Sequence, residues 1–186
     1  METDAPNMSF KEELTKAMNL LAQESGSIFI GQNIRYPGHI MAGTFTGVPR
    51  EKLIEVPVFE DTQLGISMGL ALAGFSPVVS IFPRLDFLII ACNQLINHLD
   101  KIEQSSQGQF KPKVIIRTMV GSIAPMYPGP QHCQDHSEAL RLMLTNIDLV
   151  KLTKAEEVMP AYRGAVESWR STILVEAPPK RQGYDG

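Results

Sequence analysis

At 186 residues, with 44% hydrophobic and 20% charged side chains and a formal net charge of -3, the chain can bury an ordinary core without disulfides or metal. That balance excludes a disordered chain and a basic nucleic-acid-binding surface, and no run of about 18 apolar residues is available to span a bilayer. Cys92 and Cys133 lie far apart and match no disulfide framework, and the segment METDAPNMSFKEE lacks the basic and apolar regions of a signal peptide, so a reducing, cytoplasmic location is expected.

In chain order, Ser9-Phe-Lys-Glu12 has the pattern of a capping box, and Phe10, Leu14, Ala17, Met18 and Leu21 then recur on one helical face. Ser27 to Gly31 reads as a short buried strand, and residues 32 to 53, rich in Gly and Pro, as a long loop of the kind that usually carries function. A second strand is expected over Ile54 to Val58. A helix of small and apolar residues follows from Leu64 to Ala73, with Gly74 as its C-terminal cap. The alternation continues with a strand over Pro77 to Phe82, a helix from Leu85 to about Glu103, a polar linker and a strand over Val114 to Thr118. A Gly/Pro-rich loop from Met119 to Gln134 leads to a helix over Ser137 to Leu144, a strand over Asp148 to Leu152, a helix over Ala155 to Trp169 and a strand over Thr172 to Glu176. Residues 178 to 186 read as a surface tail.

Strands separated by helices and apolar on both faces predict an α/β fold, three layers deep (α/β/α), around a mostly parallel sheet of about six strands. No repeat and no linker divides the chain, so residues 1 to 186 read as one domain. Ligands of such sheets bind at the carboxyl ends of the strands. Three segments fall there: the loop after Gly31, the junction Phe59-Glu60-Asp61, and the loop Pro128-Gly-Pro-Gln-His-Cys-Gln-Asp-His136.

Taken alone, Glu60 and Asp61 are explained by the dipole of the following helix, whose interaction with a carboxylate is worth roughly 0.3 to 1 kcal/mol. Against that reading, Gly65, Gly69, Ala71 and Ala73 make a helix that is weak unless another backbone approaches it closely, which suggests an interface. His132 and His136 have the spacing of two ligands on one helix face, but nothing supplies the rest of a metal site and the preceding Gly-Pro favours a loop. Neither a G-x-S-x-G elbow nor a phosphate loop is present, which disfavours a hydrolase and a nucleotide sensor. Cys92, within FLIIACNQLI, reads as core.

Gly47-Val-Pro-Arg50, Val56-Pro-Val-Phe-Glu60 and Gly65 through Gly74 resemble the pyrimidine-binding domain of thiamine-diphosphate enzymes. The likeness is strongest to the beta subunit of the decarboxylating component of 2-oxoacid dehydrogenases, with transketolases next. The family runs fourteen residues from just after its glutamate to the helix-ending glycine, as Asp61 to Gly74 does here. Asp86-Phe87 with Asn93-Gln-Leu-Ile-Asn97, and Gly129-Pro-Gln-His132 with Glu138-Ala-Leu140, resemble two further family segments in the same order, so the likeness spans residues 9 to 177.

The resemblance implies a thiamine-diphosphate-binding fold, with Glu60 activating the cofactor through a hydrogen bond to its aminopyrimidine ring. It implies Phe59, Leu64 and Phe87 as further cofactor contacts, and His132 as an acid facing the substrate. Two departures stand out. Gly31-Gln32-Asn33 replaces an acidic turn, a change expected to bear on cofactor-linked communication between sites or on substrate contacts through Gln32, and Phe82-Pro-Arg84 brings Arg84 toward the pocket, favouring an anionic substrate. The family's diphosphate motif and the third domain of its larger members are not found in these residues. The expectation is therefore a partner subunit that holds the diphosphate and Mg2+, in a heterodimer or heterotetramer acting on a small-molecule 2-oxo acid, with no nucleic acid and no membrane. Decarboxylation with acyl or aldehyde transfer is expected first and transketolase-type ketol transfer on a ketose second, with a non-catalytic, partner-binding paralogue as the rival.

Overall fold

The computed structural model describes residues 9–36, 38–39, 41–123 and 127–178, so most of the expected tail lies outside the described residues. The capping box forms: Glu12 N–H donates to Ser9 Oγ at 3.2 Å and Ser9 N–H to Glu12 Oε2 at 2.9 Å, starting helix α1 (Phe10–Ala22). Six strands follow as anticipated: β1 (Ile28–Gly31), β2 (Leu53–Glu55), β3 (Val78–Ile81), β4 (Val114–Met119), β5 (Asp148–Leu152) and β6 (Thr172–Glu176). They form one sheet in the order β2-β1-β3-β4-β6-β5, every pair parallel. The central strands are buried along their whole length, which is why they carry continuous apolar runs instead of alternation.

Helices cover both faces. On one face α1 and α6 (Ala155–Glu167) enclose Phe10, Leu14, Met18, Phe29, Ile115 and Tyr162. On the other, α2 (Glu60–Leu72), the segment after β3 and α5 (Ser137–Met143) enclose Leu64, Phe82, Leu88, Leu95, Ile116 and Leu140. This is the expected three-layer architecture.

Two boundaries differ from the sequence reading. β2 ends at Glu55, and α2 begins at Glu60 instead of Leu64, so the acidic pair forms the helix's first turn and does not precede it. Residues 56–59 have no ladder partner beyond the Val56 N–H bond to Gly31 O, because the chain must leave the sheet edge to climb onto its face. The long helix expected from Leu85 is broken into α3 (Leu85–Leu88), a 3-10 turn (Ile89–Ala91), a π-helical stretch (Asn93–Leu99) and α4 (Ile102–Ser105). Its widened turns carry i to i-5 bonds such as Asp100 N–H to Leu95 O at 3.0 Å, and such stretches are common near functional sites. Gly74 has φ +98° and follows the last turn of α2, as its reading as a cap requires.

Candidate active site at the carboxyl ends of four strands

The rim of the site is built where β1, β2, β3 and β4 end. Gly31 closes β1 against β3 so tightly that an added Cβ would lie 2.6 Å from Ile81 O and 2.8 Å from Ile81 Cβ, so only glycine fits. Gln32 follows, 4% exposed, and its Nε2 has no hydrogen-bond partner among the described residues. The turn beyond it is held by Glu55, whose carboxylate accepts from the backbone N–H of Asn33 at 2.6 Å and of Ile34 and Arg35 at 2.9 Å each. That cradle permits φ +59° at Asn33, a left-handed conformation asparagine tolerates better than most residues. Glu55 was missed by the sequence reading. Its only signal was an acid ending a strand directly opposite Gly31.

At the next position along the rim, α2 starts with Glu60, 3% exposed, its N-terminus clamped to the sheet by Gln63. The Gln63 amide donates to Ser80 Oγ at 3.1 Å and Ile81 O at 2.9 Å, and Leu64 is fully enclosed beneath the same turn. Phe59, half-buried, precedes the helix without capping it. No hydrogen bond or ion pair engages the Glu60 carboxylate among the described residues. The helix dipole supplies roughly 0.3 to 1 kcal/mol. The carboxylate oxygens are not among the fully sealed atoms, so Glu60 opens onto the rim while the rest of its side chain is enclosed. Asp61 is different: it is half-buried and accepts from Gln94 Nε2 at 3.4 Å on the π-helical stretch, an ordinary first-turn carboxylate.

Beyond β3 and β4, two segments meet. Phe87 packs edge-on against His132, with ring centroids 5.4 Å apart and planes at 83°. Gly121 lies against the His132 carbonyl and the Arg84 guanidinium: a Cβ there would meet His132 O at 1.7 Å and Arg84 Nε at 3.4 Å. The loop carrying His132 therefore seats on β4's exit only because position 121 has no side chain. His132 Nδ1 is buried without a hydrogen-bond partner, and Arg84, half-buried, makes no ion pair among the described residues.

His132 ends a 3-10 turn (Pro130–His132) while His136 caps α5, so the two imidazoles do not share the helix face their spacing allowed. Between them, Asp135 accepts from Ser137 N–H at 3.1 Å and Oγ at 2.5 Å and pairs with Lys151. Burial works against that ionised carboxyl, but the Lys151 and Ser137 bonds outweigh it and hold its pKa below the usual range.

Of the residues singled out from the sequence, the fold thus joins Arg84, Phe87 and His132 into one cluster. It places Phe59, Glu60 and Leu64 together at the start of α2, and Gln32 at the end of the neighbouring β1. No hydrogen bond links these three groups to one another among the described residues. The rim combines an unpaired buried carboxylate, an aromatic face, an imidazole and a guanidinium. Such a set can hold a heteroaromatic ring and present an acid to an anion beside it.

Comparison with known proteins agrees with that chemistry. The chain is 24% identical over 161 residues to the 2-oxoisovalerate dehydrogenase subunit beta of Bacillus subtilis, covering 85% of this chain and 43% of that protein. It is 27% identical over 183 residues to the pyruvate dehydrogenase E1 component subunit beta of Mycoplasma genitalium, covering 91% and 52%. The chain thus spans about half the length of the curated relatives it matches. No family model matches it. Among solved structures, transketolase from Campylobacter jejuni superposes with a TM-score of 0.72 at 15% identity over 95% of this chain and 26% of that one. A split-gene transketolase, described as an inactive beta4 tetramer, superposes with a TM-score of 0.66 at 16% identity over 95% and 53%. The resemblance to the pyrimidine-binding domain of thiamine-diphosphate enzymes is borne out: the sequence is similar to 2-oxoacid dehydrogenase beta subunits, and the fold is shared with transketolases.

Proposed function

We propose that this chain is the pyrimidine-domain subunit of a two-subunit thiamine-diphosphate enzyme that decarboxylates a 2-oxo acid and transfers the remaining acyl or aldehyde unit. The observation that carries this reading is Glu60, buried, unpaired and fixed at the start of a clamped helix. The residues present fit the aminopyrimidine half of the cofactor: an acceptor for its ring nitrogen in Glu60 and an apolar face in Phe87. When bound, thiamine diphosphate supplies the electron sink that makes loss of carbon dioxide possible.

The chain's own residues perform the rest. Glu60 would hydrogen-bond the ring nitrogen and hold a proton there, in a site dry enough to strengthen the bond. His132, held on Phe87, donates to the substrate's carbonyl or carboxylate oxygen, and Arg84 draws an anionic group to the rim. Gln32 brings an unspent amide donor to the same end of β1.

In this reading a separate subunit, in a heterodimer or heterotetramer, holds the diphosphate and Mg2+, and all 186 residues form one pyrimidine domain acting in the cytoplasm. Exposed apolar residues support a partner surface around α2: Val58 is 78% exposed, Ile66 40%, Leu72 47% and Ile90 61%. No helix among the described residues is long and apolar enough to cross a membrane. Ketol transfer is the second reading, favoured by the likeness of fold to transketolases. A partner-binding paralogue without catalysis would leave an enclosed, unpaired carboxylate at the rim without a role.

The test is reconstitution with the diphosphate-binding subunit, followed by Glu60→Gln. Turnover of a 2-oxo acid should fall by roughly 10²- to 10³-fold or more, as when a preorganised hydrogen bond to a reacting system is lost. The melting temperature should hold, because Glu60 makes no partnered contact to lose. Near-normal turnover in that variant would remove the cofactor role, and tight Mg2+-dependent cofactor binding by the isolated chain would remove the two-subunit reading.

A further inference from the structure

Asp86 takes no part in the chemistry proposed above, yet its side chain is only 6% exposed. Its Oδ1 accepts from the Gln134 backbone N–H at 3.3 Å and from Gln134 Nε2 at 3.0 Å, with His136 Nε2 at 3.7 Å. Its Oδ2 is buried and has no hydrogen-bond partner among the described residues. A carboxylate in that state is costly, and α3 is too short for a dipole to offset the cost.

The contacts around it give a reason to keep it. Residues 86 and 87 hold the segment carrying His132 and Gln134 at two points: Asp86 at Gln134 and Phe87 at His132. Of these, only the Asp86 hold is made through hydrogen bonds, since the other is a ring contact. It fixes the backbone two residues beyond His132. The other charges nearby are already committed or face away: Asp135 is paired with Lys151 and bonded to Ser137, while Arg84 lies on the Gly121 side.

We infer that Asp86 is the positioning residue of His132, holding the loop through Gln134 so that the imidazole stays edge-on to Phe87 at the rim. The consequence for turnover rests on the function proposed above, but the positioning itself does not. In the isolated full chain, Asp86→Ala should speed amide exchange over residues 129 to 137 by roughly tenfold and shift the His132 ring resonances, with α1 and α6 unchanged. Asp86→Asn keeps an oxygen acceptor at the same place and should restore most of both readouts.

In the reconstituted complex, Asp86→Ala should lower kcat by about 10- to 100-fold while leaving cofactor affinity intact, the pattern of a displaced catalytic group. If Asp86→Ala does not fold, Gln134→Ala removes the side-chain half of the hold and should shift His132 in the same direction. His132 resonances and loop exchange that match the parent chain in these variants would overturn the inference. Movement of His132 in Asp86→Ala alongside full activity in Glu60→Gln would sustain the positioning and reject the reaction.

Discussion

Two buried glutamates, one ending a strand and one opening a helix, are treated in opposite ways. Glu176, at the end of β6, is fully buried and surrounded: Arg117 Nε donates to it at 2.5 Å and Nη2 at 3.4 Å, and the Tyr162 hydroxyl approaches at 3.5 Å. Arg117 in turn donates to Thr44 Oγ1 at 2.7 Å and lies over the Phe45 ring, so the long loop after β1 is tied to the sheet through this pair. Burial pushes the Tyr162 hydroxyl's pKa well above its ordinary value, opposed by Arg117 and reinforced by Glu176. Glu60, at the start of α2, is nearly as buried and has none of this. The chain can provide partners for an interior carboxylate, and at Glu60 it does not. Of the buried side-chain atoms without a partner among the described residues, Gln32 Nε2, Gln63 Oε1, Asp86 Oδ2 and His132 Nδ1 lie at the carboxyl-end rim, while Thr118 Oγ1 lies on β4 and Arg170 Nε just before β6.

The contrast breaks most sharply if both glutamates are altered. Glu60→Gln should abolish turnover and spare the fold, whereas Arg117→Met should spare the rim and cost about 3 to 5 kcal/mol by leaving Glu176 buried and uncompensated. Denaturant unfolding measures that loss, and adding Glu176→Gln to Arg117→Met should recover part of it. A stable Arg117→Met chain would mean that water reaches the pair and the interior is less sealed than its burial indicates.

A smaller effect is expected at Asp100, which ties the π-helical stretch to the loop before β5. Its carboxylate accepts from Asn146 N–H at 2.7 Å, Thr145 Oγ1 at 2.8 Å and Thr145 N–H at 3.1 Å, with Lys101 at 2.6 Å. Burial opposes ionisation there, but the bonds from Lys101, Asn146 and Thr145 prevail and hold the pKa below its ordinary value. The stabilisation is thus fully present above the unfolded pKa of about 4 and fades as pH falls through the lower folded value. Asp100→Ala should cost about 1 to 3 kcal/mol at neutral pH, and its stability should fall less than the parent's between pH 5 and acid. Parallel pH curves for the two chains would show that the carboxylate is not what these bonds stabilise.

How far this division was legible in the sequence differs from residue to residue. The layer order, the six strands and the capping box follow from local periodicity and caps, which act within a few residues and so are written locally. Glu60 and His132 were singled out because motif spacing marks them. Glu55, Asp86 and the Arg117–Glu176 pair were not found: their partners lie 20 to 59 positions away along the chain, and no periodicity marks such contacts. The break in the helix after Leu85 was hidden for a similar reason, since its residues suit an α-helix and tertiary ties decide the widened turns.

The weakest expected effect bears on the helix that Glu60 begins. The sequence suggested that Gly65 and Gly69 admit a closely packed neighbour, yet within the chain a Cβ at Gly65 would only touch Gln94 at 3.8 Å, and one at Gly69 would meet nothing within 4 Å. Neither glycine has positive φ. The isolated chain therefore gains nothing from glycine at position 69, and Gly69→Ala should stabilise it by about 0.5 to 1 kcal/mol through helix propensity and reduced freedom of the unfolded chain. If the face that carries Ile66 and Leu72 packs against the diphosphate-binding subunit, the same methyl group should weaken reconstitution, so stability and assembly would move in opposite directions. Calorimetry of the free chain and titration with the partner separate the two. An alanine that stabilises the chain and leaves association unchanged would move the interface off this helix, and Glu60 would then face a partner reached from another side of the rim.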